Sequence, residues 1–141
     1  MDTEANRELI RRVYAEMAQG NGRPFVDSLA DDVRWTIMGT TAWSRTYDGK
    51  QAVRDELLKP LVAQFADGYT ARAHRLIAEG DLVVAEIRGR VTTHAGKPYH
   101  NAYCFIFRIE DGLVRELTEY LDTALLGQAL EDPPGAAVRK T

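Results

Sequence analysis

Two stretches in the second half of the chain carry charged side chains that could take part in a reaction. Glu119 lies on the last stretch of alternating pattern, and Glu86, Arg88 and Arg90 share one face of an earlier stretch. A carboxylate removed from water has a raised pKa and can transfer protons near neutral pH, whereas a neighbouring arginine keeps it ionised. Two interpretations follow, a proton-transfer site and a structural Glu–Arg network.

Hydrophobic periodicity predicts the helices that accompany these stretches. Apolar residues recur at three- and four-residue spacing over 6–18 and again over 53–65, which predicts two amphipathic helices. Pro60 lies inside the second pattern, so a kink is expected there, or a new helix with Pro60 in its first turn. Short helices are expected at 24–29 and 124–130.

The rest of the chain is rich in strands. Gly80 and Gly112 are expected in the tight turns of two hairpins. An early strand and then long antiparallel strands, with helices before them, predict an α+β fold whose helices pack on one face of a curved, mostly antiparallel sheet. Such a sheet can close around a cone-shaped cavity for a small ligand. The predicted strands are 33–38, 69–78, 82–93, 99–109 and 113–121.

Composition excludes several classes of protein. The chain has 141 residues, enough for one domain, and 18 basic against 21 acidic residues give a net charge of −3, which argues against nucleic-acid binding. Its longest apolar run is too short to span a membrane, and no signal segment opens the chain, so a cytoplasmic location is expected. Cys104 is the single cysteine, and His94 and His100 form no spaced set with carboxylates, so neither a disulfide nor a metal site is expected.

Several stretches, taken in order, resemble the SnoaL-like and ketosteroid-isomerase-like proteins of the nuclear-transport-factor-2-like (NTF2-like) superfamily. The resemblance extends over residues 5–127, within a predicted domain of 1–127 followed by a tail of 128–141 that should lie outside the core. It implies a cone-shaped fold with an internal pocket. The stretches that carry it are AQG at 18–20, LADDV at 29–33, DGKQAV at 48–53, YHNAYCFIF at 99–107 and EYLDT at 119–123.

The resemblance also implies which faces of the strands line the pocket. Glu119 is then the candidate base, with Arg88 or Tyr14 stabilising an enolate or oxyanion. Asp122 is an alternative acid, although its place before Thr123 favours a helix cap. The predicted substrate-binding residues are Trp35, Glu86, Arg90, Asn101, Tyr103, Phe105, Leu117 and His74.

Comparison within the superfamily disfavours two mechanisms. Ile37 and Phe105 stand where the steroid isomerases carry their two acids. For limonene-type epoxide hydrolases, Trp35 and Ile37 replace the water-holding residues, and Glu86 replaces the arginine. A polyketide-cyclase-like reaction with a carboxylate base on a late strand remains compatible with Glu119.

The predicted function is therefore a cofactor-independent enzyme that abstracts a proton beside the carbonyl of a small apolar or aromatic molecule. Isomerisation, cyclisation and dehydration all fit this description. The alternatives are a non-catalytic protein that binds a hydrophobic ligand and a dimerisation module. A homodimer is expected in each case, through an outer sheet face formed by His100, Ala102, Cys104, Ile106, Thr118 and Tyr120.

The loop between the first strand and the second long helix holds two large aromatic residues, Trp43 and Tyr47. They are compatible with a lid over the pocket or with surface packing, and the sequence alone does not separate these two roles.

Overall fold

The computed structural model describes residues 2–135, which form a sheet with helices packed on one face. The predicted α+β class is confirmed. No helix among these residues is both long and apolar enough to cross a membrane. In chain order the elements are α1 (Thr3–Met17), α2 (Arg23–Asp27), β1 (Leu29–Ile37), β2 (Thr46–Asp48), α3 (Lys50–Ala52), a π-helical segment (Val53–Leu58), α4 (Lys59–Val62), β3 (Thr70–Glu79), β4 (Leu82–Arg90), β5 (Ala102–Glu110), β6 (Leu113–Leu121) and α5 (Thr123–Ala129).

The sheet has the strand order β2-β1-β6-β5-β4-β3. β1 and β6 pair in parallel, and the other four neighbouring pairs are antiparallel. The parallel pair places the first strand beside the last one, so a residue of β6 faces the same space as residues of β1. α1 packs across β3 and β4, at the opposite end of the sheet from β1 and β2.

Both predicted hairpins are present, each with a two-residue turn. Glu110 and Leu113 pair directly, and the two residues between them, Asp111 and Gly112, have φ of 53° and 75°. Positive φ at both central residues is what a type I′ turn requires, and Asp-Gly supplies it.

The second long helical pattern is divided in the way that Pro60 predicts. A π-helical segment leads directly into α4, which starts at Lys59 with Pro60 in its first turn. The backbone stays helical through Leu58 and Lys59, and proline, which has no amide hydrogen, lies where the π-helical hydrogen-bond spacing changes to the α-helical one.

β1 starts earlier than the sequence pattern indicates. It begins at Leu29 rather than at Val33, because Asp31 and Asp32 lie within a register irregularity of the β1–β6 pair and not in a turn. The irregularity interrupts the period-two pattern on which the prediction depended.

The loop aromatics are buried and not on the surface. Trp43 and Tyr47 are 2% and 1% exposed, and the Tyr47 hydroxyl donates to the Trp43 carbonyl at 2.8 Å. Tyr47 belongs to β2, a short strand that the sequence pattern does not reveal.

The described part of the tail is not entirely outside the core. Ala129, Leu130 and Pro133 are buried. Gln64 fixes the main chain of Glu131, donating to its carbonyl at 3.0 Å and accepting from its amide at 2.8 Å. The rest of the predicted tail, 136–141, lies outside the described residues.

Candidate functional site

The inner face of the sheet carries the residues that surround the candidate site. On β5 and β6 the direct cross-strand pair Phe105 and Glu119 is buried, and Trp35 of β1 lies beside Leu117 in the parallel pair. Directly opposed residues share a face, so these side chains all point towards the helices.

The expected position of the β4 charges is wrong. Ala85 pairs with Phe105 and Ile87 with Tyr103, and both β4 residues are 0% exposed, so they lie on the inner face. The other alternating set of β4 therefore faces outward. It comprises Glu86, Arg88 and Arg90, which do not line the cavity.

Glu86 instead takes part in an ion pair on the outer face. Arg75 Nε lies 2.9 Å from Glu86 Oε1 across the β3–β4 pair. Arg88, which was predicted to stabilise an enolate or oxyanion, is exposed on that same face and has no access to Glu119. The sequence already indicated this orientation of β4. The set Val83, Ala85 and Ile87 is apolar throughout, whereas the alternate set contains all the charged residues of the strand.

A cavity of about 660 Å³ lies between the inner sheet face and the helices. Its walls are mostly apolar. Four charged side chains on its rim, Arg23, Asp27, Arg54 and Asp67, are exposed to solvent. The aromatic residues that line it are Tyr14, Phe25, Trp35, Trp43, Phe65, Tyr69, Tyr99, Tyr103 and Phe105.

Glu119 is the buried acid of this cavity. It is 6% exposed, and its Oε1 accepts a hydrogen bond from Trp35 Nε1 at 2.9 Å. No lysine, arginine or histidine among residues 2–135 forms an ion pair with it. Burial raises the pKa of Glu119 to about 7, against the smaller lowering effect of the Trp35 hydrogen bond. At neutral pH this carboxyl therefore exchanges protons readily.

Tyrosines from several elements surround the same space. Burial raises the pKa of the Tyr14 and Tyr103 hydroxyls well above the usual value, raises that of Tyr99 to about 12, and raises that of Tyr69 as well. The charge of Glu119 adds to each increase, so all four tyrosines stay protonated and can donate hydrogen bonds.

Tyr69 and Tyr99 were not predicted as site residues. The predicted strands 69–78 and 99–109 begin with them, whereas the strands of the structure begin at Thr70 and Ala102, so alternation does not place their rings. Tyr69 occupies the space over Gly89 of β4, where a Cβ atom would lie 2.4 Å from the Tyr69 hydroxyl oxygen. An isolated glycine in a strand often marks such a close approach, so Gly89 was the residue in the sequence that could have indicated a group packed over β4.

The remaining predicted site residues do not line the cavity. His74 is exposed beside a register shift of β3, and Leu117 is a core residue 1% exposed. Asp122 is the N-cap of α5, where Oδ1 accepts from the Leu125 amide at 3.1 Å.

Asn101 is buried behind the cavity wall. Its Nδ2 donates to the Tyr99 hydroxyl at 3.0 Å and to the Asp122 carbonyl at 3.1 Å. Its Oδ1 accepts from the amides of Ala102 and Asp122. These bonds fix the Tyr99 ring against the junction of β6 and α5.

The donor atoms of the site suit an organic ligand better than a metal ion. Within residues 2–135, His, Cys, Asp and Glu side chains do not gather into a group of three that could hold a metal.

The described residues thus combine an α+β fold with a buried acid in a cavity lined by aromatic side chains. The chain belongs to the SnoaL-like domain family, whose profile matches residues 10–117. A comparison with curated proteins finds no significant match.

Solved structures share the fold at low sequence identity. An NTF2-like protein from Burkholderia thailandensis has a TM-score of 0.76 at 23% identity, over 93% of this chain and 99% of that one. TerC, crystallised with polyporic acid, has a TM-score of 0.74 at 21% identity over 89% and 97% of the two chains. An LEH-like epoxide hydrolase from M. tuberculosis has a TM-score of 0.69 at 17% identity over 99% and 98%.

Proposed function

We propose that this protein is a cofactor-independent enzyme that moves a proton beside a carbonyl group, with Glu119 as the base. The observation that carries the proposal is a buried carboxyl at the wall of an open cavity of about 660 Å³, with no cationic partner among residues 2–135. A carboxylate in this state is a stronger base than one in water, because the surroundings stabilise its ionised form poorly.

The tyrosines supply the second requirement of such a reaction. When Glu119 takes a proton from the substrate, the negative charge moves to the enolate oxygen, and hydrogen-bond donors must stabilise it there. Tyr14 and Tyr103 line the cavity, and their raised pKa values keep them protonated during the reaction. They are the proposed donors for the developing oxyanion.

The cavity walls favour a flat, apolar substrate. Tyr103 stacks on Phe105 with ring centroids 5.4 Å apart, and Trp35 meets Phe105 edge-on at 6.4 Å. The neighbour TerC was crystallised with polyporic acid, and an aromatic carbonyl compound likewise suits this cavity. Isomerisation, cyclisation and dehydration all begin with the same proton abstraction.

Hydrogen–deuterium exchange tests this proposal without knowledge of the natural substrate. The α-protons of 2-tetralone in D₂O are followed by proton NMR with the wild type and Glu119→Gln. Glu116→Gln is the matched control, because Glu116 lies on the same strand but is exposed on the outer face. We expect Glu119→Gln to lose the catalysed exchange by about 100-fold or more. Equal exchange in Glu119→Gln and the wild type would contradict the proposal.

We further propose that two copies of the chain pair through the outer sheet face. Cys104, Ile106 and Thr118 are half-buried on this face, and Tyr120 is 43% exposed. Light scattering should give a dimer for the wild type and a monomer for Ile106→Glu. Val62→Glu, which also alters an exposed apolar residue but lies on α4, is the control and should stay dimeric. A monomeric wild type would refute the pairing.

A further inference from the structure

The interior of the cavity carries a single unneutralised charge. Glu119 is the one buried charged side chain among the described residues that line it. The rim carries two arginines, Arg23 and Arg54, and two acids, Asp27 and Asp67, so its positive and negative charges are equal in number. All four side chains are exposed to solvent. Their fields are therefore screened by water, whereas that of Glu119 is not.

Aromatic rings lie beside this charge. A hydrogen bond of 2.9 Å fixes the Trp35 indole against the carboxylate. Phe105 and Phe25 pack against the indole, with ring centroids 6.4 Å and 5.6 Å from that of Trp35. Electron-rich ring faces attract a cation, and the attraction is strongest where water is excluded.

A ligand that enters this cavity must therefore meet an acid and aromatic rings together. A neutral ligand leaves a buried carboxylate without a counter-charge, and an anionic ligand adds repulsion to that cost. A monocation whose remainder is apolar neutralises Glu119, contacts the rings and fills the rest of the space. The hydroxyl oxygens of Tyr14 and Tyr103 offer further acceptors for its N–H groups.

We propose that the cavity binds a lipophilic amine in its protonated form, with the ammonium group beside Glu119 and the apolar body along the aromatic wall. The inference uses the site of the proposed function, but it does not require turnover. An amine can be a substrate that also carries a carbonyl group, or a competitive ligand, and its binding is measured independently of proton exchange.

Three probes of the same length and different charge test the proposal by isothermal titration calorimetry: 4-phenylbutylamine, 4-phenylbutanol and 4-phenylbutanoate. At about pH 8, where Glu119 is mostly ionised, we expect the amine to bind at least about tenfold more tightly than the alcohol, and the carboxylate most weakly. In Glu119→Gln the advantage of the amine over the alcohol should fall to about twofold or less. Glu116→Gln should retain the full advantage.

Equal binding of amine and alcohol by the wild type would overturn the proposal. Tightest binding of 4-phenylbutanoate would overturn it too and would point to the rim arginines, which Arg54→Gln would test. The unfolding midpoint of each variant shows whether a lost affinity reflects loss of the fold. Normal 2-tetralone exchange with no amine preference would refute this inference alone, whereas amine preference without exchange would refute only the proposed enzyme.

A second readout follows from proton linkage. Among residues 2–135, the titratable groups that face Glu119 are the hydroxyls of Tyr14, Tyr69, Tyr99 and Tyr103, all with raised pKa values, so they keep their protons. Near pH 7 about half of Glu119 is protonated, and an entering ammonium group should release about half a proton per amine. Calorimetry in buffers of different ionisation enthalpy measures that release. Proton uptake, or the same release from Glu119→Gln, would contradict the assigned position of the ammonium group.

Discussion

Replacing Glu119 by glutamine should change how the stability of the protein depends on pH. Burial moves the pKa of Glu119 from its ordinary value of 4.5 to about 7 in the folded state. The folded protein thus holds the Glu119 proton more tightly than the unfolded chain does. The stability linked to this group is fully present below pH 4.5 and is lost as pH rises through about 7.

The size of this loss follows from the difference between the two pKa values. Each unit of pKa corresponds to about 1.4 kcal/mol, so ionising Glu119 should cost the folded state about 3 kcal/mol above pH 7. Glutamine has a similar shape and no charge. We therefore expect Glu119→Gln to match the wild type near pH 4.5 and to be more stable by about 3 kcal/mol near pH 8.

Urea denaturation followed by tryptophan fluorescence at several pH values measures this difference. Glu116→Gln is the control, because Glu116 lies on the same strand but is exposed, and its loss removes a surface ion pair with Arg108 worth about 1 kcal/mol or less. A difference between Glu119→Gln and the wild type that does not vary between about pH 5 and pH 8 would refute the reasoning.

Three further substitutions test the geometry of the site. Gly89→Ala should destabilise the protein by about 1–3 kcal/mol in urea denaturation, because its Cβ would lie 2.4 Å from the Tyr69 hydroxyl oxygen. Adding Tyr69→Phe should restore part of that loss, and no recovery would argue against the contact. Trp35→Phe removes the hydrogen bond that lowers the pKa of Glu119, so the pH midpoint of the stability change should move upward. An unchanged or lower midpoint would contradict the assigned role of the indole. Arg88→Gln should leave 2-tetralone exchange unchanged, since Arg88 lies on the outer face, and a loss of exchange as large as that of Glu119→Gln would contradict this placement.

Much of the sheet could be predicted because its signals are local. β6 spans 113–121 as the alternation predicts, and the Asp-Gly turn fixes its pairing with β5. Alternation places Phe105 and Phe107 in one set of β5 and Glu119 in the set of β6 that holds Leu117. The resemblance implied that these sets face inward, and in the structure all four residues are buried.

The position of the β4 charges could not be taken from the resemblance that suggested it. Alternation separates two sets of side chains but does not say which set is inside. The apolar set that contains Ala85 and Ile87 was the better guide, because a charged set on the inner face would leave Arg88 and Arg90 buried without enough partners.

Tyr69 and Tyr99 show what sequence patterns miss. Both lie outside the regular strands, and tertiary contacts place their rings. Tyr69 depends on the space over Gly89, and Tyr99 depends on a hydrogen bond from Asn101 at 3.0 Å. Gly89 lies far from Tyr69 in the sequence, and Asn101 is itself held by Asp122, 21 residues later, so no local period reports these placements.

The proposed chemistry depends on Glu119, whose pKa burial raises to about 7 and which has no cationic partner in the described part of the chain. A carbon-13 NMR titration of protein labelled at the glutamate side-chain carboxyl carbon tests this pKa directly, with the Glu119 signal assigned by its absence from Glu119→Gln. We expect a midpoint of about 7 for this signal. A midpoint close to the ordinary value of 4.5 would contradict this expectation.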